Sequence, residues 1–344
     1  MVTTLPLILF GLTCQQPALE AKLETLFKES GVPGAAVGVI KDGTVIYRRA
    51  FGVADVDKQT PFTSDMAFEI GSLSKQFTAV SILMLVKEGK FALSDPIGAI
   101  LPDLPEKWRA ATVELVLHHM SGIPDYEEIA GYDFYNRAHE GKEIIASAAS
   151  KEPAFKPGEK FYYSNTGYYL LSQIVETKAG VPFGKFIEER VFKPLGMTHT
   201  YAINRPKDTK LPTGYHSRTG TRVAQPPIAW TSSLGAGAIV STLDDMAKWD
   251  ASLYTEKLLP ANLRDKLWET TKTLDGSPVQ YGFGWFMSTY QGSPFQNHSG
   301  QTNGFTCFYN RFPKQKVSVI GFTNTYGGSI YKMVRAATEQ FVTP

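Results

Sequence analysis

The chain has 344 residues, 43% of them apolar and 20% charged, with 35 Lys and Arg set against 33 Asp and Glu. That mixture supplies a full core and excludes a disordered chain. A formal net charge of +2 without a Lys/Arg block argues against nucleic acid as the main partner. Cys14 and Cys307 are the two cysteines, too few for a disulfide framework or a zinc site. The length suits two domains.

In chain order, residues 1–17 hold the apolar run Leu5 to Leu12, far shorter than the ~20 residues that span a bilayer. This segment is expected to be a leader for export to the periplasm or medium, although no Lys or Arg precedes Lys22; a cytoplasmic chain is the alternative. Leu19, Leu23, Leu26 and Phe27 recur at helical spacing, and Gly31 stands where a C-terminal cap belongs. Ala35 to Lys41 and Thr44 to Phe51 flank Asp42-Gly43 and predict a hairpin. From Ser72 to about Gly180 the period turns helical, as in Phe77, Val80, Leu83 and Met84. The Pro-, Thr- and Gly-rich stretch from Ile203 to Pro227 is expected to be surface loop. Phe283 to Tyr290, Thr302 to Arg311 and Val317 to Thr323 predict strands, and Ile330, Met333, Val334, Ala337 and Phe341 share one face of a closing helix. Hairpins at both ends without alternating βα units imply an α+β fold: an antiparallel sheet from residues 18–71 and 228–344, with a mainly helical domain, 72–227, inserted.

Three short elements can carry chemistry. In Gly71-Ser72-Leu73-Ser74-Lys75, Ser72 and Lys75 lie three apart and share a helix face. A Ser hydroxyl needs a partner to take its proton, and a Lys amine can do so where burial lowers its pKa; the alternative is Ser72 as a plain N-cap beside a solvated Lys75. In Tyr163-Ser164-Asn165, a phenol and an amide stand side by side before a helix, able to relay a proton and to hydrogen-bond a substrate carbonyl. A buried loop Tyr with a capping Asn is the plainer role. In His298-Ser299-Gly300, close to a strand, side-chain donors precede a glycine that lets a substrate backbone approach.

Taken in this order, the three elements resemble the penicillin-recognising serine hydrolases, in the branch of class C β-lactamases, D,D-peptidases and family VIII esterases. The resemblance runs from about Leu19 to Phe341 and includes Leu117-His118-His119-Met120-Ser121-Gly122-Ile123-Pro124 and Tyr281-Gly282-Phe283-Gly284-Trp285. It implies a β-lactamase/transpeptidase-like fold and an acyl-enzyme on Ser72, with Lys75 activating it and Tyr163 as general acid/base. It also implies substrate binding by Asn165, His298, Ser299 and Gly300, and an oxyanion hole from the backbone amides of Ser72 and Gln301. No metal or organic cofactor is implied. The expected substrates are small esters, amides or short D-amino-acid peptides, with β-lactamase activity or a catalytically silent peptide-binding role as alternatives. One departure bears on substrate: β-lactamases of this branch carry Lys-Thr-Gly where this chain has His298-Ser299-Gly300, and a His is mostly neutral at pH 7.

Other residues have plainer expected roles. His118 and His119 lack metal-ligand spacing and are expected to close a helix. Asp244-Asp245 suits a helix N-terminus. Trp285 either lines the pocket or packs beside the sheet. The sequence does not fix the oligomeric state.

Overall fold

The computed structural model describes residues 8–131, 134–135, 137–202, 209–218 and 221–343. Helix α1 (Ile8–Ser30) ends at Gly31, whose φ of +65° only glycine adopts freely. Residues 1–7 of the expected leader lie outside the described residues, and the remainder continues into α1. No helix among the described residues is long and apolar enough to cross a membrane.

Strands β1 (Gly34–Lys41), β2 (Thr44–Asp55) and β3 (Thr60–Pro61) come from one end of the chain. From the other come β4 (Phe286–Tyr290), β5 (Ser293–Gln301), β6 (Thr306–Phe312) and β7 (Val317–Thr323). They form one antiparallel sheet in the order β4-β5-β6-β7-β1-β2-β3. The first and last halves of the chain meet where β1 pairs with β7, Ala35 opposite Thr323 through Lys41 opposite Val317. As an inner strand covered on both faces, β1 is buried from Gly34 to Ile40, which explains its unbroken apolar run.

Successive β1 side chains turn to opposite layers. Val37 and Val39 join Val319, Leu19 and Leu23 of α1, and Met333 and Val334 of α8 (Tyr331–Phe341). Ala36 and Ile40 join Ile320, Phe77 of α2 (Ser74–Lys87) and Met246 and Trp249 of α7 (Leu243–Ser252). Between α2 and α7 in the chain lie α3 (Val113–Leu117), α4 (Tyr126–Ala130), α5 (Gly141–Ala149) and α6 (Asn165–Ala179).

Helix α2 is buried on every side from Ser74 to Leu85, so the amphipathic face expected from Phe77, Val80, Leu83 and Met84 is only part of its buried surface. Its polar side chains therefore need internal partners. Thr78 Oγ1 donates to Gly235 O at 2.7 Å, and Gln76 Oε1 accepts from Trp249 Nε1 at 2.9 Å.

Several boundaries differ from expectation, each with a local cause. The strand expected from Phe283 begins at Phe286, because Gly282 N–H bonds Trp285 O at 2.8 Å and closes a turn. The strand expected from Thr302 begins at Thr306, since Thr302 N–H bonds Phe305 O at 3.0 Å. Within the expected 203–227 loop, Gly214–Arg218 and Thr221–Gln225 pair as a hairpin, anchored where Tyr215 N–H bonds Asn324 O at 3.0 Å; residues 203–208 lie outside the described residues. Trp285 is fully buried with its ring 5.4 Å from Tyr309, so of its two expected roles the structure shows packing. Capping of α7 falls to Thr242, which accepts from Asp245 N–H at 3.2 Å; Asp245 itself is buried and accepts from Lys248 Nζ at 2.7 Å.

Candidate active site

Ser72 lies in a single 3-10 turn, Gly71–Leu73, leading into α2. Gly71 has φ +50°, and a Cβ there would stand 2.6 Å from the Gln301 backbone nitrogen. A Cβ on Gly300 would stand 2.0 Å from Ile70 O. Glycine at both positions lets the end of β5 lie directly against the turn, which puts the backbones of Ser72 and Gln301, the expected oxyanion pair, on touching segments. Strand β4 pairs with β5 only as far as Phe286 opposite Asn297. From His298 to Gln301 the outer edge of β5 is therefore uncovered by β4. A cleft of about 600 Å³ opens there, lined by Ser72, Tyr163, Asn165, His298, Ser299 and Gln301, with Phe286 at one end and Asp125, Glu127 and Glu128 also on its wall.

Lys75 is completely buried beneath Ser72. Its Nζ stands 3.1 Å from Ser72 Oγ, 2.7 Å from Asn165 Oδ1 and 2.9 Å from Ala236 O. Burial lowers its pKa to about 7, against the opposing pull of the Asp125 and Glu127 carboxylates. Near neutrality much of the Lys75 population is thus an uncharged amine with a lone pair facing Ser72. The solvated alternative for Lys75 does not survive this geometry.

Tyr163 packs over Lys75, with Nζ 4.7 Å from its ring centre, and lines the cleft beside Ser72. Burial holds the phenol pKa well above 10, so it stays protonated at neutral pH. The loop bearing Tyr163 is clamped from both sides by one residue. His119 O accepts from Tyr162 N–H at 2.8 Å, and His119 Nδ1 accepts from Ser164 N–H at 3.1 Å, while its ring lies 4.2 Å from that of Tyr163. A ring nitrogen that accepts leaves the proton on the other, so His119 carries it on Nε2. His118 and His119 also close α3 as expected: His118 is its C-cap, and His119 follows in the left-handed region at φ +58°. The His119 N–H bonds Val116 O at 3.1 Å and the Met120 N–H bonds Leu115 O at 2.7 Å, so His119 ends the helix and clamps the Tyr163 loop as well. This function of His119 was not legible beforehand; its place in a conspicuous His-His pair was the only signal.

Asn165 opens α6 just after the Ser164 N-cap, which accepts from Gly167 N–H at 3.2 Å. Its amide oxygen takes Lys75, and its Nδ2 donates to Asp125 Oδ2 at 3.1 Å and Glu127 Oε2 at 2.6 Å. Asn165 therefore joins Lys75 to two carboxylates that sequence reasoning did not find. Asp125 is the N-cap of α4, accepting from Glu127 N–H at 3.1 Å, a role a lone Asp fills at many helix starts. Burial pushes its carboxyl up to about 6, with Glu127 adding to the effect.

His298 is buried with its side chain on the inner face of β5. Its Nδ1 lies 2.6 Å from Ser299 O and must donate, since a carbonyl only accepts; its Nε2 then accepts from the Tyr281 hydroxyl at 3.1 Å. Burial, reinforced by Lys75, lowers its pKa to about 3. His298, standing where β-lactamases of this branch carry a lysine, is thus neutral near pH 7. Ser299 is exposed, on the opposite face of the strand. Cys307 is a buried free thiol whose Sγ donates to Ile70 O, a packing residue behind β5. Among the described residues no cluster of three or more His, Cys, Asp or Glu could hold a metal ion.

Comparison with known proteins finds several similarities that run over most of this chain. The chain is 28% identical over 328 residues to penicillin-binding protein 4* of Bacillus subtilis, covering 88% of this chain and 71% of that protein. It is 29% identical over 316 residues to a D-aminopeptidase of Gluconobacter oxydans, covering 89% of this chain and 58% of the relative. Those relatives are longer, so the chain spans between about three fifths and seven tenths of their length. The octameric penicillin-binding protein homologue from Pyrococcus abyssi superposes with a TM-score of 0.82 at 29% identity, over 94% of this chain and 76% of that one. The Beta-lactamase family model matches residues 19–339, and the chain belongs to that family.

Proposed function

We propose that this chain is a serine hydrolase that forms an acyl-enzyme on Ser72, and that its preferred acyl group is an amino acid with a free α-ammonium, D-configured as the name of its D-aminopeptidase relative suggests. The hydrolase reading rests on a buried amine, with a pKa near 7, lying 3.1 Å from the Ser72 hydroxyl. Neutral Lys75 takes the Ser72 proton as Oγ bonds the substrate carbonyl carbon. The carbon–nitrogen or carbon–oxygen bond then breaks. The proton passes to the leaving atom through the Tyr163 phenol, which borders the cleft beside Ser72 with its ring over Lys75 Nζ. Water repeats the sequence on the acyl group, releasing the acid and restoring Ser72.

The substrate reading rests on the charge of the cleft. Its lining carries Asp125, Glu127 and Glu128 and no exposed Lys or Arg, and His298 is neutral. A substrate ammonium meets opposite charge there, whereas the carboxylate of a β-lactam meets none. β-Lactam hydrolysis is accordingly the weaker reading.

The discriminating pair is D-alaninamide and N-acetyl-D-alaninamide, which differ only in the amine charge. We expect the free amine to be preferred at least tenfold in kcat/KM, a preference that Glu127→Gln lowers mainly through KM. Equal turnover of the two, or a preference for the acetylated one, overturns the ammonium reading. Intact mass after treatment with a fluorophosphonate tests the mechanism separately: Ser72→Ala must remain unlabelled.

A further inference from the structure

The catalytic cleft does not end at Phe286. A second groove of about 360 Å³ shares Phe286, His298 and Ser299 with it and continues across the outer face of β4, β5 and β6 toward α8. Three alternating rows build its floor. Phe286, Asn297 and Asn310 lie in register across the strands, as do Ser299 and Phe308, and Phe295 lies opposite Ser288. Helix α8 covers the centre of the sheet and stops short of β4, so Tyr331 at its start forms the far wall, 51% exposed, with its ring 6.0 Å from that of Phe308.

The groove joins aromatic rings to polar side chains, with Asn310 beside Asn297 on the floor and Arg335 and Thr338 contributed by α8. Asn297 Nδ2, in the middle of the floor, already donates to Ser288 Oγ at 2.8 Å. The rings of Phe286, Phe295, Phe308 and Tyr331 are half-buried or exposed and supply an apolar contact surface within it.

A substrate laid along the open edge of β5, from Gln301 to His298, reaches Phe286 where β4 occupies the plane of the sheet. It must then leave that plane. The inner face is closed by the packed rings of Tyr281 and His298, 5.8 Å apart, which leaves the outer face and its groove. Given the proposed reading, on which this step rests, the acyl ammonium sits at the acidic wall. The leaving group is then the part that points to Phe286.

We propose that this groove is a leaving-group subsite that selects substrates whose departing amine or alcohol carries an aromatic or bulky apolar body. The test uses two acyl groups, D-alanyl and acetyl, each joined to a small and an aromatic leaving group: D-alaninamide and D-alanine 2-naphthylamide, ethyl acetate and 2-naphthyl acetate. For each enzyme the quantity is the ratio of kcat/KM for the aromatic over the small member, so intrinsic reactivity cancels between variants. We expect Tyr331→Ala and Phe308→Ser each to lower that ratio about tenfold, through KM, in every acyl series that is turned over. Tyr331 is half-exposed, so its variant tests the subsite even where Phe308→Ser destabilises the sheet. An unchanged ratio in Tyr331→Ala overturns the proposal. Turnover of the acetyl but not the D-alanyl series overturns the ammonium reading alone, and the groove is then judged on the acetates. Turnover of neither overturns both.

Discussion

Lys75→Met lowers kcat/KM about 10³-fold for every substrate the wild type accepts, because the proton acceptor for Ser72 is gone. In the wild type, kcat/KM rises with pH through about 7, where the buried amine loses its proton, and falls away on the acid side. The direction follows from burial, which favours the uncharged form, and only that form can take the Ser72 proton. Activity that stays flat down to pH 5 sinks this role for Lys75. Stability moves in the same direction. The folded pKa lies below that of the unfolded chain, so between about 7 and 10.5 the unfolded state binds more protons and stability rises with pH. At pH 6 the charged amine costs the fold on the order of a few kcal/mol. Methionine removes that cost but leaves Asn165 Oδ1 and Ala236 O without a donor. The expected Tm of Lys75→Met at pH 6 is equal to or above that of the wild type, and a fall of several degrees means that Lys75 holds the fold together as well.

The second large effect lies behind the sheet. Asp250 and Arg311 are both buried, with Arg311 Nε 3.6 Å from Asp250 Oδ1. Tyr309 and Ser318 donate to the same oxygen at 2.5 Å each, Arg311 donates to Gln296, and its guanidinium stacks 4.1 Å over Tyr254. Asp250→Ala leaves a guanidinium in the core without its counter-charge, which costs about 3–5 kcal/mol. For a chain of this size that lowers Tm by roughly 5–10 °C in calorimetry. The double variant Asp250→Leu/Arg311→Met buries no charge and regains most of the loss. A single variant within 1 °C of the wild type shows that the pair is not needed.

The two halves of the molecule were unequally legible. Strands β1, β2 and β7 follow from alternating or continuous apolar runs bounded by turns, and their predicted limits lie close to the observed ones. Strand β5 is harder to see, because it contains Pro294, Gly300 and a string of polar residues, unlike the apolar runs of β1 and β7. The hairpin 214–225 is hidden for the same reason. Of the site, residues that must be a particular chemical type at short spacing stood out: Ser72 and Lys75, Tyr163 and Asn165, and the His298 triad. The members that act through backbone atoms or long-range contact did not. His119 works through its own carbonyl and a ring nitrogen on the 162–164 loop, and Asp125 and Glu127 reach Asn165 across about 40 residues of chain. No local pattern encodes such a contact.

The pairing of β1 with β7 has a consequence for synthesis of the chain. β1 emerges from the ribosome far ahead of its partner on one side, Val317–Thr323, which follows more than 270 residues later. Until then β1 has only β2 beside it, and β5 has no sheet to hold it against the Ser72 turn. Contacts of such long sequence separation form late and slowly. The helical segment can settle while translation continues, but Ser72 meets the end of β5 only after β5 and the strands beside it have been made. A nascent or C-terminally clipped chain therefore carries Ser72 and Lys75 without a working site.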